Sequence, residues 1–303
     1  MDLLNEIEKP LFIVNLKANE RRSLDKWRQV EYYLDYYNVR YDVKFTTNRE
    51  EAVNLVRKDK KHRMIIVVGG DGGVNALVEG AIKNDLEKIL GTIPAGTAND
   101  IAKTFDIYSN PNKFYRALLN ENIMEIDVGE VNGKYFFGHA SLGFDALILN
   151  ERNKRHFLKG KLAYFAGALR AFFKYTSKKM KIKFGEDEEI DKTIFLMVIS
   201  NIKYYANGMK IAPLAEPNDG LLDLCLIEGE SNLGVLLNNL SGVYSGTHIN
   251  NSKVYYHQSE QLEIFSPEPV FLQVDGDLIG EDTYFKFNLA NKKIKMLVQN
   301  EDL

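Results

Sequence analysis

Two short stretches carry the residue types that handle phosphate. In "VVGGDGGVNALVEG" (Val67–Gly80), Gly69, Gly70, Gly72 and Gly73 surround Asp71. "PAGTAND" (Pro94–Asp100) also bears a glycine, Gly96, and also closes on a carboxylate, Asp100. Glycine lets a backbone approach an anion closely, and the N–H groups of a first helical turn point at it. An unpaired carboxylate beside phosphate repels, so a cation between Asp71 and Asp100 is the natural remedy. Mg2+, which takes oxygen ligands and substrate phosphates, suits that place. Neither standard nucleotide fingerprint is present. No Gly-Lys-Ser/Thr follows the first loop, and Asn75 stands where GxGxxG needs its third glycine. One glycine turn alone equally serves tight strand-to-helix packing; the second turn is what favours phosphate.

Two further turns hold carboxylates, "NDGLLDL" (Asn218–Leu224) and "VDGD" (Val274–Asp277). Asp-Gly is the sequence of a type I′ hairpin turn. Phosphoryl transfer to a hydroxyl needs positioning, charge neutralisation and a carboxylate near the hydroxyl proton, which a hairpin tip can supply.

The pattern around these motifs sets the elements that must carry them. "LFIVN" (Leu11–Asn15) is a continuous apolar run, the form of a strand buried on both faces. A helical pattern follows, with Leu24, Trp27, Val30, Tyr33 and Leu34 on one side. "YDVKFTT" and "NREEAVNLVRK" repeat strand and helix, and the two glycine loops each join a further strand to a further helix. Alternating β and α units predict a parallel sheet covered by helices, with both loops at the carboxyl ends of strands, where ligands bind. Near residue 125 the pattern changes. "IDVGEVNGKYFFGHASLGF" alternates about an Asn-Gly turn, and beyond residue 180 short strands predominate, which predicts an antiparallel β-sandwich. Asn150 to about Lys179 reads as helical.

The chain has 303 residues, more than one ordinary domain and suited to two. Its net charge of −3 and pI near 6.0 exclude a generic nucleic-acid binder. A single cysteine, Cys225, excludes internal disulfides and CxxC metal sites and suits a reducing cytoplasm. "MDLLNEIEKP" lacks the features of a signal peptide, and no apolar stretch approaches the roughly 18 residues of a membrane span. Any membrane contact is expected to be peripheral. One segment suits it: Arg152 to Lys183 holds eleven Lys/Arg, no Asp or Glu, and interleaved aromatics. The competing reading makes the aromatics a domain core and the lysines a solvated face. The five histidines are scattered; His139 reads as a core residue and Cys225 as an inert buried thiol.

At these residues the sequence resembles the diacylglycerol kinase catalytic family, which includes bacterial lipid kinases and the sphingosine and ceramide kinases. Its GGDGT-type loop is matched by Gly69-Gly70-Asp71-Gly72-Gly73, with Gly73 in place of the threonine. "GTAND", "SLGFDA" (Ser141–Ala146), "NGMKIAP" (Asn207–Pro213), "NDGLLDL" and "VDGD" resemble later blocks in order. The resemblance implies an N-terminal α/β nucleotide domain of the NAD kinase/diacylglycerol kinase type, residues 1–127 plus about 291–303. A C-terminal antiparallel β-sandwich lipid-substrate domain, 128–290, would follow, with ATP in the cleft between them. It further implies nucleotide contacts at Asn15, Thr46, Gly69, Gly70, Asp71, Gly72, Gly73, Asn75, Gly96, Thr97, Asn99 and Asp100. Thr47 competes with Thr46 by one gap, and "NLKAN" keeps Asn15 while losing the family's Pro, Ser and Gly. A structural Mg2+ would sit at Asp219 and the Leu221 carbonyl, with Glu216 as a secondary candidate ligand. Asp275 or Asp277 would be the general base, and Asp71 would help organise catalytic Mg2+.

The expected activity is therefore an ATP- and Mg2+-dependent lipid kinase, with diacylglycerol converted to phosphatidic acid as the preferred reaction. It would be cytoplasmic and peripheral on an anionic membrane, with a homodimer as one candidate assembly. Two alternatives stand beside it: a kinase of a soluble substrate, as in the NAD kinases, and a nucleotide-sensing homologue without catalysis.

Overall fold

The computed structural model describes residues 9–17, 22–84, 86–107, 111–153, 175–185, 188–229 and 242–298. The chain divides into two compact units. The first contains residues 1–126, 206–208 and 292–303, and the second contains 127–205 and 209–291.

The first unit is built on a six-stranded sheet in the order β2-β1-β3-β4-β15-β5. Its strands β1 (Leu11–Asn15), β2 (Asp42–Thr46), β3 (Met64–Gly69) and β4 (Ile89–Pro94) run parallel. All six residues of β3 and all six of β4 are buried, the reason their sequences are unbroken apolar runs rather than alternating ones. Helix α1 (Arg22–Tyr36) buries Trp27, Val30 and Leu34, one stripe at helical spacing, and Trp27 packs on Phe12 at 5.1 Å between ring centroids. Helix α2 (Arg49–Lys58) starts at an Asn48 cap whose side chain accepts the Glu51 N–H. Helix α3 (Asp71–Ile82) follows β3, and the short α4 (Asp100–Thr104) follows β4. After α5 (Pro111–Asn120) and β5 (Ile123–Ile126) the chain leaves this unit. It returns at its C-terminal end as β15 (Ile294–Leu297), parallel to β4 and antiparallel to β5.

The second unit is an antiparallel β-sandwich with a barrel-like closure. Its first hairpin, β6 (Gly129–Val131) and β7 (Lys134–Phe136), turns at Asn132 and Gly133, whose φ values of 47° and 77° are those of a type I′ turn. The remaining strands are β8 (His139–Gly143), β9 (Lys178–Phe184), β10 (Glu188–Ser200), β11 (Leu222–Glu228), β12 (Val254–Ser259), β13 (Gln261–Val274) and β14 (Asp277–Leu289). Two long strands make the closure. One half of β10 and one half of β13 pair with β8, while their other halves pair with β9. Met180, Ile182, Leu142, Met197, Leu226, Ile264 and Phe285 fill the interior.

Helix α6 (Phe144–Asn153) begins earlier than the sequence pattern suggests. The expected helix does not run on to Lys179, because Lys178 opens β9, where Met180, Ile182 and Phe184 face the core and the lysines between them do not. Most of the basic aromatic stretch, 154–174, lies outside the described residues. Among the described residues, no helix is long and apolar enough to cross a membrane.

Candidate active site

The two glycine loops of the first unit meet backbone to backbone. β3 and β4 are parallel neighbours, so their carboxyl ends fall side by side, and the Ala95 N–H donates to the Gly69 carbonyl at 2.7 Å. A Cβ placed on Gly70 would lie 2.9 Å from the Gly96 Cα, and one placed on Gly96 would overlap the Gly70 Cα. Glycine is required at both positions because each occupies the space the other's side chain would take. Asn99, left-handed at φ 54°, locks the second loop: its Oδ1 accepts the Gly96 N–H at 2.8 Å and its Nδ2–H donates to the Gly96 carbonyl. The Arg22 guanidinium donates to the same carbonyl.

Above this seam the backbone is open. Gly70 caps α3 without any side-chain bond to the helix, and a Cβ on Gly72 would meet nothing within 4 Å. The first turn of α3 therefore presents N–H groups that no cap occupies. Asp71 turns away from solvent, and the Ile101 N–H of α4 donates to its Oδ1 at 2.9 Å. Burial pushes the Asp71 carboxyl above the usual carboxylate range, and the neighbouring Asp100 charge adds to that, while the Ile101 N–H opposes it. Asp100 is itself engaged. Its Oδ1 receives the Lys103 ammonium at 3.2 Å and its Oδ2 the Asn207 N–H at 2.8 Å.

Two other expected contacts of the first unit lie at the carboxyl ends of neighbouring parallel strands. Asn15 and Thr46 are register partners at the ends of β1 and β2. The Thr46 Oγ1 and the Asn75 Oδ1 are buried without a hydrogen-bond partner among the described residues. Thr47 is used otherwise, its N–H and hydroxyl both donating to Glu51. Thr97 is exposed. Gly73 has a local cause: its added Cβ would come 2.9 Å from the Val67 Cγ2, a short branched side chain buried in β3. Gly73→Thr is therefore expected to cost about 1–3 kcal/mol through overpacking. Combination with Val67→Ala should recover most of that loss, as read from denaturant midpoints of the four chains of the cycle. Strict additivity would show that Val67 is not the obstacle.

In the second unit the two carboxylates of "VDGD" have different surroundings. Asp275, at φ 47°, accepts three backbone N–H bonds, from Phe137 to Oδ2 at 2.8 Å and from Gly138 and His139 to Oδ1 at 2.9 and 3.0 Å. Its own N–H donates to the His139 carbonyl. Asp277, two residues on, is exposed at the start of β14. The "NDGLLDL" turn is tied down by Asp127, whose Oδ2 accepts the Gly220 N–H. Asp219 accepts the Leu221 N–H, and Glu216 pairs with Lys203 at 2.9 Å.

Several residues with no catalytic or ligand role assigned from sequence also lie in the second unit. Asp223 is buried, Tyr256 and Gln258 donate to its Oδ1, and its Oδ2 has no partner among the described residues. Burial pushes its carboxyl up to about 6; the Tyr256 donor opposes that shift, while the Asp219 and Glu216 charges reinforce it. Asp145, within "SLGFDA", is buried under hydroxyl donors from Ser141 and Tyr205, and burial raises its carboxyl. His139 lies edge-on to Tyr205, partly buried at the start of β8, and burial lowers its imidazole to about 4. Cys225 is buried, with its thiol pushed up to about 12, as an inert core thiol should be. Asp223 lies within "NDGLLDL", but its place inside the apolar run of β11 gave no sign that its carboxylate could be a ligand.

Comparison with known proteins decides what these groups belong to. Residues 9–131 match the model of the diacylglycerol kinase catalytic domain, and residues 138–292 that of the YegS C-terminal NAD kinase beta sandwich-like domain. The chain belongs to the diacylglycerol kinase family. It is a kinase, a phosphotransferase of the lipid kinase group. Diacylglycerol kinase of Bacillus subtilis is 29% identical over 220 residues, covering 72% of each chain. A YegS-like lipid kinase of Alcanivorax borkumensis is 27% identical over 286 residues, covering 91% of this chain and 92% of its own. Among solved structures, a diacylglycerol kinase from Bacillus anthracis superposes with a TM-score of 0.70 at 18% identity, covering 98% of both chains. An NAD kinase from Archaeoglobus fulgidus, solved with ATP, gives 0.53 at 10% identity over 96% of this chain and 94% of its own. At such identities these two establish a shared fold, an α/β unit followed by an antiparallel β unit.

Proposed function

We propose that this family member transfers the γ-phosphate of ATP to a lipid hydroxyl, with diacylglycerol as acceptor and phosphatidic acid as product. The observation that carries the nucleotide half is the open seam: uncapped α3 N–H groups over two glycines in mutual contact, with nothing among the described residues within 4 Å of a Cβ placed on Gly72. The Thr46 and Asn75 oxygens, buried and without a partner among the described residues, are polar atoms that the rest of the nucleotide could engage. Asp277 is the proton acceptor in this reading, because three N–H donors already occupy the oxygens of Asp275 that a base would use. As the lipid hydroxyl gives its proton to the Asp277 carboxylate, its oxygen bonds to the γ-phosphorus in line. The bond to the β-bridging oxygen breaks, and ADP leaves.

Mg2+ would accompany ATP and neutralise charge developing on the phosphates. A second cation fits the "NDGLLDL" turn. Among the described residues no three His, Cys, Asp or Glu side chains gather into a preformed nest. Mg2+, however, is commonly held by one or two carboxylates with water. Asp223, with its orphaned oxygen, and Asp219 would hold it with the Leu221 carbonyl. Work on a lipid acceptor puts the enzyme at a membrane surface, and the basic aromatic residues between Arg152 and Lys183 are the proposed contact with anionic lipid.

The test is incubation with labelled ATP and Mg2+ against mixed vesicles of diacylglycerol, ceramide, sphingosine and monoacylglycerol, with NAD as a soluble acceptor. Labelled phosphatidic acid supports the proposal. Label in another lipid alone overturns the choice of diacylglycerol. Turnover of NAD alone overturns the lipid reading, and ATP binding without transfer to any acceptor overturns catalysis.

A further inference from the structure

The loop Tyr205–Met209 holds three consecutive residues with left-handed φ. Tyr205 and Met209 exchange N–H···O bonds of 2.7 and 2.9 Å, which closes a loop with three residues at its tip. All three tip residues are left-handed: Ala206 at φ 43°, Asn207 at 76° and Gly208 at 96°. An alanine in that region is sterically disfavoured, so the tip persists only where something outside the loop holds it. Residues 206–208 cluster with the first unit, and what holds them there is α4. The Asn207 N–H donates to the Asp100 Oδ2, and a Cβ on Gly208 would come 3.1 Å from the Lys103 Nζ. The same lysine donates to the other Asp100 oxygen, and the next residue, Ile101, gives its N–H to Asp71.

We infer that Asp100 is a positioning residue. Its carboxylate latches the left-handed tip onto α4, and the latched α4 keeps the Ile101 N–H on the Asp71 carboxylate. The inference assigns Asp100 an acceptor's role toward a backbone N–H instead of a cation ligand's role. It rests on the reading above in one respect, that the Asp71 loop carries the nucleotide. A neutral acceptor of the same shape should then suffice. In Asp100→Asn the amide oxygen can still accept the Asn207 N–H, and the half-exposed Lys103 can turn its ammonium to water.

The experiment uses the full chain and two readouts, exchange protection of the Asn207 amide and ATP-dependent transfer to lipid at varied Mg2+. Asp100→Asn is expected to keep Asn207 protection, transfer within about fivefold of wild type, and the wild-type Mg2+ requirement. Asp100→Ala is expected to speed exchange at Asn207 by about a hundredfold or more. The accompanying loss of kcat should exceed about tenfold. Gly208→Ala leaves every carboxylate in place, yet adds a side chain at φ 96° against Lys103, and should reproduce Asp100→Ala in both readouts. Loss of transfer in Asp100→Asn with Asn207 still protected would overturn the inference, because charge and not the latch would then be needed. Unchanged Asn207 exchange in Asp100→Ala would overturn it as well. If wild type transfers no phosphate, the failure belongs to the proposed function, and the amide exchange alone upholds or overturns the latch.

Discussion

Asp277→Asn is expected to lower kcat for lipid phosphorylation by about 10²–10⁴-fold, the range of a lost general base. ATP affinity should stay within about threefold, since no nucleotide-holding group is touched. Asp277 is exposed at the first position of β14, so the chain should fold normally. Asp275→Asn is expected to behave in the opposite way. The left-handed backbone at φ 47° suits asparagine, so backbone conformation is not the cost. The cost lies in the amide group, which must point –NH2 at one of the oxygen positions now receiving N–H bonds from Phe137, Gly138 and His139. Donor facing donor should destabilise the second unit by about 1–3 kcal/mol. The protein that remains folded should turn over substrate at a substantial rate. Thermal unfolding and steady-state kinetics on the two variants separate a base from a brace. If Asp275→Asn keeps full stability and loses turnover while Asp277→Asn does not, the roles are reversed.

Gly96→Ala should be the most damaging single methyl in the first unit. Its Cβ would overlap the Gly70 Cα and lie 2.8 Å from the Asn99 Oδ1, and neither can yield without parting the two loops. A displacement of about 1 Å between groups that hold a substrate is enough to cost about a hundredfold in rate. ATP affinity is expected to fall by at least that factor. Gly70→Ala, 2.9 Å from the Gly96 Cα, should act in the same direction. Gly72→Ala is the contrast. Nothing lies within 4 Å of its added Cβ, so stability should be unchanged within about 0.5 kcal/mol. The methyl would nevertheless stand where phosphate is proposed to lie, and KM for ATP should rise. Equal ATP affinity in Gly72→Ala and wild type would move the phosphates elsewhere.

These contrasts also mark what the sequence could and could not reveal. The parallel strands were legible because burial on both faces leaves an unbroken apolar run, as in Met64–Gly69 and Ile89–Pro94. The two glycine loops followed from their place between such a strand and a helix, and the Asn132-Gly133 hairpin from its turn residues. Local pattern fails where partners are distant in the chain. Nothing near Asp100 points to Asn207, 107 residues on, and nothing near Asp275 points to donors 136 to 138 residues before it. A pair of carboxylates in glycine turns reads as a metal centre from sequence alone. The structure gives one oxygen of each, Asp71 Oδ1 and Asp100 Oδ2, to a backbone N–H group, which any residue can supply and no motif records. Strand β9 was obscured for another reason: its lysines continue a basic helical-looking stretch, and only the ring closed through β10 and β13 makes it a strand.

The measurement that bears most directly on the division of labour is ATP affinity in Asp277→Asn and Gly96→Ala, determined beside their rates of phosphate transfer to diacylglycerol. A separation is predicted: Asp277→Asn binds ATP like wild type and fails at transfer, while Gly96→Ala fails already at binding. Normal ATP binding by Gly96→Ala, or undiminished transfer by Asp277→Asn, would contradict the account.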